Sequence, residues 1–305
     1  MKDGGVNMDY IITIDCSLKE KIVNIDKPAV QLLEYLVKPI SSVRKIIVTD
    51  CDFENYRNSV KEYSIEIDDC VQVTKNGVAV VIHGLNSQNV LEQYIFIRGD
   101  IFYSFCMYSC GQEFFEFIRE NCGDEQASSS VKCANLAIKF VLHEIGHAID
   151  YENLFMTYGY LPVTQKQYYL PKDLKEYAER EAMTIWSEYF AERYALSHIQ
   201  NTDIPSVDEI KELLSDTFSQ GVVTDIGKIF RLLYWFAFYI AYYHSKTETY
   251  ALSIQNDHQD IMALLNELSN TLERLYNESS NWEFESEFAN LGGLFIKIYE
   301  LKYLS

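Results

Sequence analysis

Short runs of Ile and Val, separated by polar and turn residues, dominate the first third of the chain. Such runs are typical of β-strands, in which neighbouring side chains point to opposite faces of a sheet. We predict strands at Tyr10–Asp15 and Lys45–Asp50. The segment Val71–Gly84 carries Asn76-Gly77 between β-prone residues, and this pair favours a hairpin because a two-residue primed turn needs positive φ at both positions.

A second hairpin and two helices complete the prediction for this part. Gln93–Phe105 is again rich in β-forming residues, and Gly99-Asp100 in its middle predicts the turn. Between the strands we predict helices at Pro28–Leu36 and around Phe53–Ile65.

The pattern changes near residues 121–130, where NCGDEQASSS ends the strand-rich part and supplies serines suited to cap a helix. Val131–Glu152 is then one predicted helix, because its apolar residues recur at helical spacing. Asn153–Pro171 contains glycine and prolines and is predicted to be a loop. Asp173–Ser197 is a second long helix, and three or four more helices are predicted from Ser206 to the C-terminus.

These elements predict an α+β fold in which a strand-rich part, residues 1–125, precedes a mostly helical part, residues 126–305. The longest apolar run, Leu232–Tyr243, is far shorter than the roughly 20 residues that span a bilayer. Its many tyrosines indicate a buried helix rather than a membrane segment. We therefore expect no membrane partner.

Composition and charge narrow the range of partners. The formal net charge is −19, and no nucleic-acid role is expected because such affinity depends on clustered Lys and Arg. The start of the chain lacks the basic and apolar regions of a secretory signal, which predicts a cytoplasmic protein. Seven cysteines are scattered without CxxC spacing, which argues against a disulfide framework and thiolate zinc ligands. The sequence does not indicate an oligomeric state.

The segment HEIGH at residues 143–147 matches the pattern HExxH within a predicted helix. Residues four apart project from one helix face, so His143 and His147 can bind a single ion at about 2.0–2.1 Å. Glu144 then lies beside the open coordination position, where it can accept a proton from a water that zinc activates. The surrounding residues are apolar, so the histidines need a metal or hydrogen bonds to compensate for burial.

A catalytic zinc site uses three protein ligands and one water, so a third ligand is expected downstream. Glu188 in the second long helix lies among aromatic residues that mark the buried side, and nearby small residues permit close helix packing. We predict that Glu188 is the third ligand. Glu192, one turn further on, is predicted to accept a hydrogen bond from a ligating imidazole. A solvated acidic helix face is the alternative interpretation.

Asp150 follows the second histidine by three residues. It lies on roughly the same side of the helix as His147 but one turn away. Two roles are open to it: a direct bond to the metal, or a hydrogen bond near the site or at the helix end. The spacing favours the hydrogen-bonding role.

HEIGHAID, followed roughly forty residues later by SEYFAE, resembles the catalytic core of metallopeptidases of the anthrax lethal factor type and of the Pro-Pro endopeptidases. The resemblance covers roughly residues 131–198. It implies a zincin-like fold of the gluzincin kind, one Zn²⁺ per chain, and hydrolysis of a peptide or protein substrate. It also implies that His143, His147 and Glu188 are the ligands. Glu144 would be the general base, with Glu192 behind the ligands.

One position departs from these families. They carry a tyrosine that stabilises the oxyanion seven residues before the ligand glutamate, and Glu181 occupies that position here. Tyr177, one turn earlier, is a candidate for this role, as are Tyr158, Tyr168 and Tyr169 in the preceding loop. The sequence does not choose among them. Those proteins are typically secreted, so their substrates are not expected to be the substrates of this chain.

The predicted function is a zinc-dependent metalloendopeptidase. Two alternatives remain open. A regulatory intracellular peptidase would use the same chemistry but cleave one specific partner protein. A non-catalytic binding module would keep zinc only to tie two helices together, although a purely structural site needs no base such as Glu144.

Overall fold

The computed structural model describes residues 11–50, 77–158, 172–199, 207–218, 226–246, 259–278 and 284–301. Helices and one four-stranded sheet make up this part of the chain, which confirms the predicted α+β class. The chain divides into two compact units, Met1–Glu152 and Asn153–Ser305, which are described separately. Among the described helices, none combines the length and the apolar content needed to cross a bilayer.

The sheet lies in the first unit. Its strands are β1 (Ile11–Asp15), β2 (Val43–Thr49), β3 (Ala79–Leu85) and β4 (Leu91–Arg98). Their order across the sheet is β1-β2-β4-β3, with β1, β2 and β4 parallel and β3 antiparallel to β4 at one edge. The central strands β2 and β4 are mostly apolar and largely buried, as is typical of central parallel strands.

Two strand predictions are confirmed. The predicted strand at 10–15 corresponds to β1, and the predicted strand at 45–50 corresponds to β2, which begins two residues earlier. The predicted hairpin at 71–84 falls partly outside the described residues, which do not include 71–76. β3 lies in the second arm of that prediction.

β3 and β4 form a hairpin that closes at Asn86. The Oδ1 atom of Asn86 accepts hydrogen bonds from the backbone N–H groups of Gln88 at 2.9 Å and Val90 at 3.1 Å. In the pairing of β3 with β4, His83 lies directly opposite Gln93. These two side chains therefore share one face of the sheet.

The predicted hairpin at Gln93–Phe105 is wrong. Gly99-Asp100 begin the helix α3 (Gly99–Ser109) directly after β4, rather than forming a turn. The apolar residues of α3 recur at helical spacing. Its fully buried side chains are those of Phe102, Phe105 and Cys106. Burial of this face outweighs the β propensity of the segment.

Gly99 is explained by close packing rather than by a turn. A Cβ atom at this position would lie 2.6 Å from Oδ1 of Asp50 and 2.9 Å from Cβ of Cys16. Cys16 follows β1 and Asp50 follows β2. The carboxyl ends of the three parallel strands therefore approach one another where α3 begins.

The other helices that begin in the first unit are α1 (Lys19–Ile22), α2 (Asp26–Val37), α4 (Gln112–Cys122) and α5 (Asp124–Tyr158). The helix predicted at 28–36 is confirmed as α2. The helix predicted around 53–65 lies outside the described residues.

The helix that carries HEIGH starts earlier than predicted. Residues 121–130 were expected to precede it, but α4 runs to Cys122 and α5 already begins at Asp124. Gly123, with a φ of +92°, separates the two helices. Acidic residues in the first turn of α5 lie at the positive end of the helix dipole. The three serines therefore lie inside the helix, and the prediction that they cap it is wrong.

The same helix also ends later than predicted. α5 includes residues 153–158, which were assigned to a loop. No glycine or proline occurs in this part, and Gly159 is the first helix-breaking residue after it. Residues 159–171 lie outside the described residues. The predicted domain boundary between residues 125 and 126 falls in the first turn of α5, whereas the division between the two units follows Glu152.

The described helices of the second unit are α6 (Leu174–Ser197), α7 (Val207–Phe218), α8 (Ile226–Ser245), α9 (Gln259–Asn277) and α10 (Phe284–Glu300). The predicted helix Asp173–Ser197 is confirmed as α6. Asp173 caps it by accepting a hydrogen bond from the backbone N–H of Glu176 at 2.9 Å. The four described helices after residue 206 agree with the predicted three or four.

α6 is the central helix of the second unit and packs against α8 and α10. Large side chains fill the space between these helices. Those that are at most 1 % exposed include Trp186, Tyr189, Leu232, Phe236 and Phe295. The predicted buried helix around Leu232–Tyr243 is confirmed as part of α8.

A pair of adjacent glycines tests the close approach of α10 to α6. A Cβ atom at Gly292 would lie 3.0 Å from the backbone nitrogen of Glu179 and 3.1 Å from the carbonyl carbon of Ala178, whereas a Cβ at Gly293 would meet no described atom within 4 Å. Alanine favours a helix over glycine by about 1 kcal/mol. Gly293→Ala should therefore raise the free energy of unfolding.

Gly292→Ala gains the same helix propensity but pushes α10 away from α6. We expect it to be less stable than Gly293→Ala by at least ~1 kcal/mol. Urea denaturation of both variants measures the difference. Equal stabilisation by the two substitutions would contradict the close packing.

Candidate metal centre

His143 and His147 lie in the middle of α5, one helical turn apart. Their Nε2 atoms are 3.1 Å apart, and their ring centroids are 4.7 Å apart with an interplanar angle of 85°. Two nitrogens bound at the usual distance to one tetrahedral zinc ion are separated by roughly 3.3 Å. The two imidazoles could therefore bind a single metal ion.

Aromatic rings limit the freedom of His147. Its residue is only 9 % exposed. Tyr151, one turn further on, stacks on the imidazole with ring centroids 6.0 Å apart and an interplanar angle of 15°. Tyr151 in turn contacts His83 of β3, with ring centroids 4.0 Å apart. Tyr151 therefore contacts the rings of both histidines.

His83 has both ring nitrogens in the interior of the first unit. Neither nitrogen has a hydrogen-bond partner among the described residues. Burial, together with the nearby His147, lowers the pKa of His83 to about 4, so the imidazole is neutral at pH 7. A neutral His83 places no positive charge beside His147, which must itself be deprotonated to bind a metal.

Gln93 and Glu152 tie α5 to the sheet. Gln93 is fully buried on β4, and its Nε2 donates hydrogen bonds to the carbonyl oxygen of Ala148 and to Oγ of Ser42, both at 2.7 Å. Ser42 donates to Oε2 of Glu152 at 3.1 Å. The backbone N–H of Ser41 donates to Oε1 of Glu152 at 3.0 Å, and its hydroxyl donates to the same atom. These bonds fix the turn that follows the HEIGH segment.

Glu188 lies in a part of α6 that is mostly buried. Trp186 is 1 % exposed and Tyr189 is fully buried, whereas Glu188 is half-buried. The hydroxyl of Tyr234 on α8 donates a hydrogen bond to Oε2 of Glu188 at 3.3 Å. The buried neighbours fix the direction in which the carboxylate projects, and its partial exposure leaves it accessible to an ion.

The three predicted ligands form one group. Each of His143, His147 and Glu188 offers one ligand atom, and these atoms all lie within 4.8 Å of one another. Two imidazoles and one carboxylate leave the fourth position of a tetrahedral site for water or substrate. Among the described residues, Asp150 does not belong to this group.

The other acidic residues of the prediction differ in exposure. Glu144 is half-buried on α5. Glu192, one turn after Glu188, is 3 % exposed, and Asp150 is 2 % exposed. All of them take part in interactions with their surroundings. Carboxylates buried this deeply need hydrogen-bond partners. The roles of Glu192 and Asp150 behind the ligands stay predictions.

Tyr177, a candidate for the oxyanion role, is engaged by neighbouring side chains. Its ring meets that of Phe230 edge-on, with centroids 5.0 Å apart, and the guanidinium carbon of Arg180 lies 4.7 Å from the ring centroid. The other candidates fall outside the described side chains: Tyr158, Tyr168 and Tyr169. The residue that stabilises the oxyanion therefore stays a prediction with several candidates.

The sequence did not predict the residues that contact the predicted ligands or their helix, namely Gln93, Glu152 and Tyr234. Gln93 did leave a signal, because a lone amide in the apolar strand LEQYIFIR needs a specific hydrogen-bond partner when it is buried. Tyr234 left none. It stands in a run with several other tyrosines, and nothing in the sequence distinguishes it from them.

A buried polar cluster in the second unit is centred on His244. The hydroxyl of Tyr189 accepts a hydrogen bond from Nη1 of Arg193 at 2.8 Å and donates to Nδ1 of His244 at 2.7 Å. Nε2 of His244 lies 3.2 Å from Oγ of Ser269 and 3.8 Å from the carboxylate of Glu273. Burial lowers the pKa of His244 to about 4, so its neutral ring can accept the proton of the tyrosine hydroxyl.

This cluster fixes the rotation of α6. Tyr189 follows Glu188 directly, and burial raises the pKa of Tyr189, so its hydroxyl keeps the proton that it shares with His244. Arg193, one turn later, stacks on the ring of Tyr276 at 4.0 Å. Because these side chains are held on the buried side of α6, the direction in which Glu188 projects from the helix is also fixed.

Comparisons with protein-family models, with curated proteins and with solved structures found no match for the chain. Its function is therefore inferred from the chemistry of the residues described above.

The hydrogen bond from Gln93 to α5 can be tested by replacing its donor with an acceptor. Gln93→Glu would place a carboxylate in a fully buried position against the carbonyl oxygen of Ala148. An uncompensated buried charge costs about 3–5 kcal/mol, unless a raised pKa neutralises it. We expect the free energy of unfolding at pH 7 to fall by about 3 kcal/mol or more.

Gln93→Leu is the matched control, since it removes the hydrogen bonds without adding charge and should cost about 1–2 kcal/mol. Urea denaturation measures both variants. Equal losses would show that the polarity at this position does not matter.

His244 makes the stability of the chain depend on pH. Its pKa is about 4 in the folded protein and about 6.5 in an unfolded chain. The unfolded state therefore binds more protons below pH 6.5, and stability falls as the pH drops from about 6.5 to about 4. The loss attributable to this residue should amount to a few kcal/mol.

His244→Gln removes the titrating group, so its stability should change less between pH 7 and pH 4.5 than that of the wild type. Urea denaturation at both pH values, with a chelator present, provides the comparison. Parallel pH profiles for the two proteins would contradict the assignment.

Proposed function

We propose that this chain is a zinc-dependent metallopeptidase that hydrolyses peptide bonds. The observation that carries the proposal is the 3.1 Å separation of two Nε2 atoms on the HExxH helix, with a glutamate in the same ligand group. In this proposal His143, His147 and Glu188 hold one Zn²⁺, and Glu144 is the general base. The zincin-like classification of the fold is part of the same proposal.

The donor set favours zinc over other common metal ions. Imidazole nitrogens and a single carboxylate suit Zn²⁺, whereas Mg²⁺ and Ca²⁺ prefer oxygen ligands throughout. Three protein ligands with one open position are typical of catalytic zinc sites, while structural sites use four protein ligands. When bound, the ion would polarise the substrate carbonyl and lower the pKa of water toward about 7.

Glu144 supplies the proton transfer. Glu144 is half-buried, so water and substrate can reach it. Glu144 takes the proton of the water that attacks the peptide carbonyl. It then passes this proton to the amine that leaves when the C–N bond breaks.

Supporting residues keep the ligands ready for the metal. Tyr151 and the neutral His83 restrict the ring of His147, and Gln93 and Glu152 restrain the helix turn after it. Ligands held in this way need little reorganisation on metal binding. A peptide or protein suits the site as substrate, whereas the formal net charge of −19 disfavours nucleic acid.

Metal content and hydrolysis together test the proposal. Elemental mass spectrometry of the purified chain should find about one zinc per molecule, and both His143→Ala and Glu188→Ala should lose it. Glu144→Gln should keep the zinc but lose hydrolysis of a peptide library by a factor of about 100 or more, because it cannot accept the proton. His198→Ala is the matched control, since His198 is exposed and contacts Tyr194 and Ser197 at its own helix end.

Each part of the proposal can fail separately. A wild-type chain that binds no zinc after reconstitution would contradict the metal site. Full activity of Glu144→Gln would contradict the role of the base. Bound zinc with a fourth protein ligand and no hydrolysis would instead support a binding module stabilised by the metal.

A further inference from the structure

Tyr234 donates a hydrogen bond to one oxygen of the proposed ligand Glu188. Its hydroxyl lies 3.3 Å from Oε2 of that carboxylate. The tyrosine belongs to α8, and the adjacent Leu233 and the nearby Phe236 are fully buried. The rings of Tyr234 and Phe238 also contact each other, with centroids 4.9 Å apart. The hydroxyl is therefore presented from a fixed part of the second unit.

A carboxylate ligand can bind a metal through one oxygen or through both. A hydrogen bond to one oxygen lowers the tendency of that atom to bind the metal and orients the other atom toward it. The difference matters for catalysis, because binding through both oxygens fills a position that water or substrate would otherwise occupy. The residue that donates to the carboxylate thus influences how open the site is.

We propose that Tyr234 is a positioning residue that holds Oε2 of Glu188, so that this ligand binds the metal through Oε1 alone. The inference rests on the proposed function, because it takes Glu188 as a metal ligand. Tyr234 acts through Glu188 in this role. Residues that orient metal ligands typically change metal affinity by a factor of about 10 to 100 when they are removed.

Tyr234→Phe removes the hydroxyl and keeps the ring. We expect its affinity for Zn²⁺, measured by competition with a chromophoric chelator, to fall by a factor of about 10 to 100. Tyr243→Phe is the matched control. It removes a hydroxyl from the same helix, and that hydroxyl accepts a hydrogen bond from Tyr239 at 3.4 Å. Its zinc affinity should equal that of the wild type.

A spectroscopic measurement separates positioning from general packing. With Co²⁺ in place of Zn²⁺, the visible absorption bands of four-coordinate cobalt are stronger than those of five-coordinate cobalt. Tyr234→Phe should weaken these bands, because Glu188 becomes free to bind through both oxygens.

A double-mutant comparison completes the test. Glu188→Ala loses the zinc on purification, but its two histidines should still bind the ion weakly at high ion concentration. In this background, Tyr234→Phe should change the residual affinity by less than a factor of about 2, since the group through which it acts is gone. Unchanged affinity and cobalt spectrum in Tyr234→Phe alone would overturn the positioning role. Failure of the wild type to bind Co²⁺ or Zn²⁺ is a different result, and it would overturn the proposed function itself.

Discussion

The proposed metal centre depends on the regular geometry of one helix. Residues four apart differ by only about 40° around a helix axis, and this small angle brings the Nε2 atoms of His143 and His147 to 3.1 Å. A local bend of α5 would separate them. The hydrogen bonds from Gln93 and to Glu152 connect the next turn to residues at the start of the sheet's central strands. The sheet therefore restrains this part of α5 through these hydrogen bonds.

The proposed third ligand depends on a different kind of restraint. Glu188 projects from α6 in a direction set by the rotation of that helix. Apolar packing alone would tolerate small rotations, because apolar contacts are not directional. The hydrogen bonds among Tyr189, Arg193 and His244 are directional, and Gly292 brings α10 against the backbone of the same helix. Polar and steric contacts together define one rotation.

Local sequence patterns predicted the elements that local forces determine. α2 and α6 follow from helical periodicity, and the HEIGH segment follows from the spacing of its histidines. The errors arose where distant residues decide. The pair Gly99-Asp100 is typical of a turn, but the small size of Gly99 instead allows Cys16 and Asp50 to pack closely against it. Hydrogen bonds such as that from Tyr234 to Glu188 join residues far apart in the chain, so they leave no periodic trace in the sequence.

The helices differ in how much of each is buried, and burial limits which substitutions a helix can accept during evolution. Between Ile185 and Leu196, nearly every side chain of α6 is buried, including charged ones, so almost any replacement there removes packing or a hydrogen bond. α4 is the opposite case, because none of its side chains is buried. Accepted substitutions should accumulate quickly in α4 and slowly in α6. A distant relative that has lost other similarity should still carry a segment close to IWSEYFAERYAL.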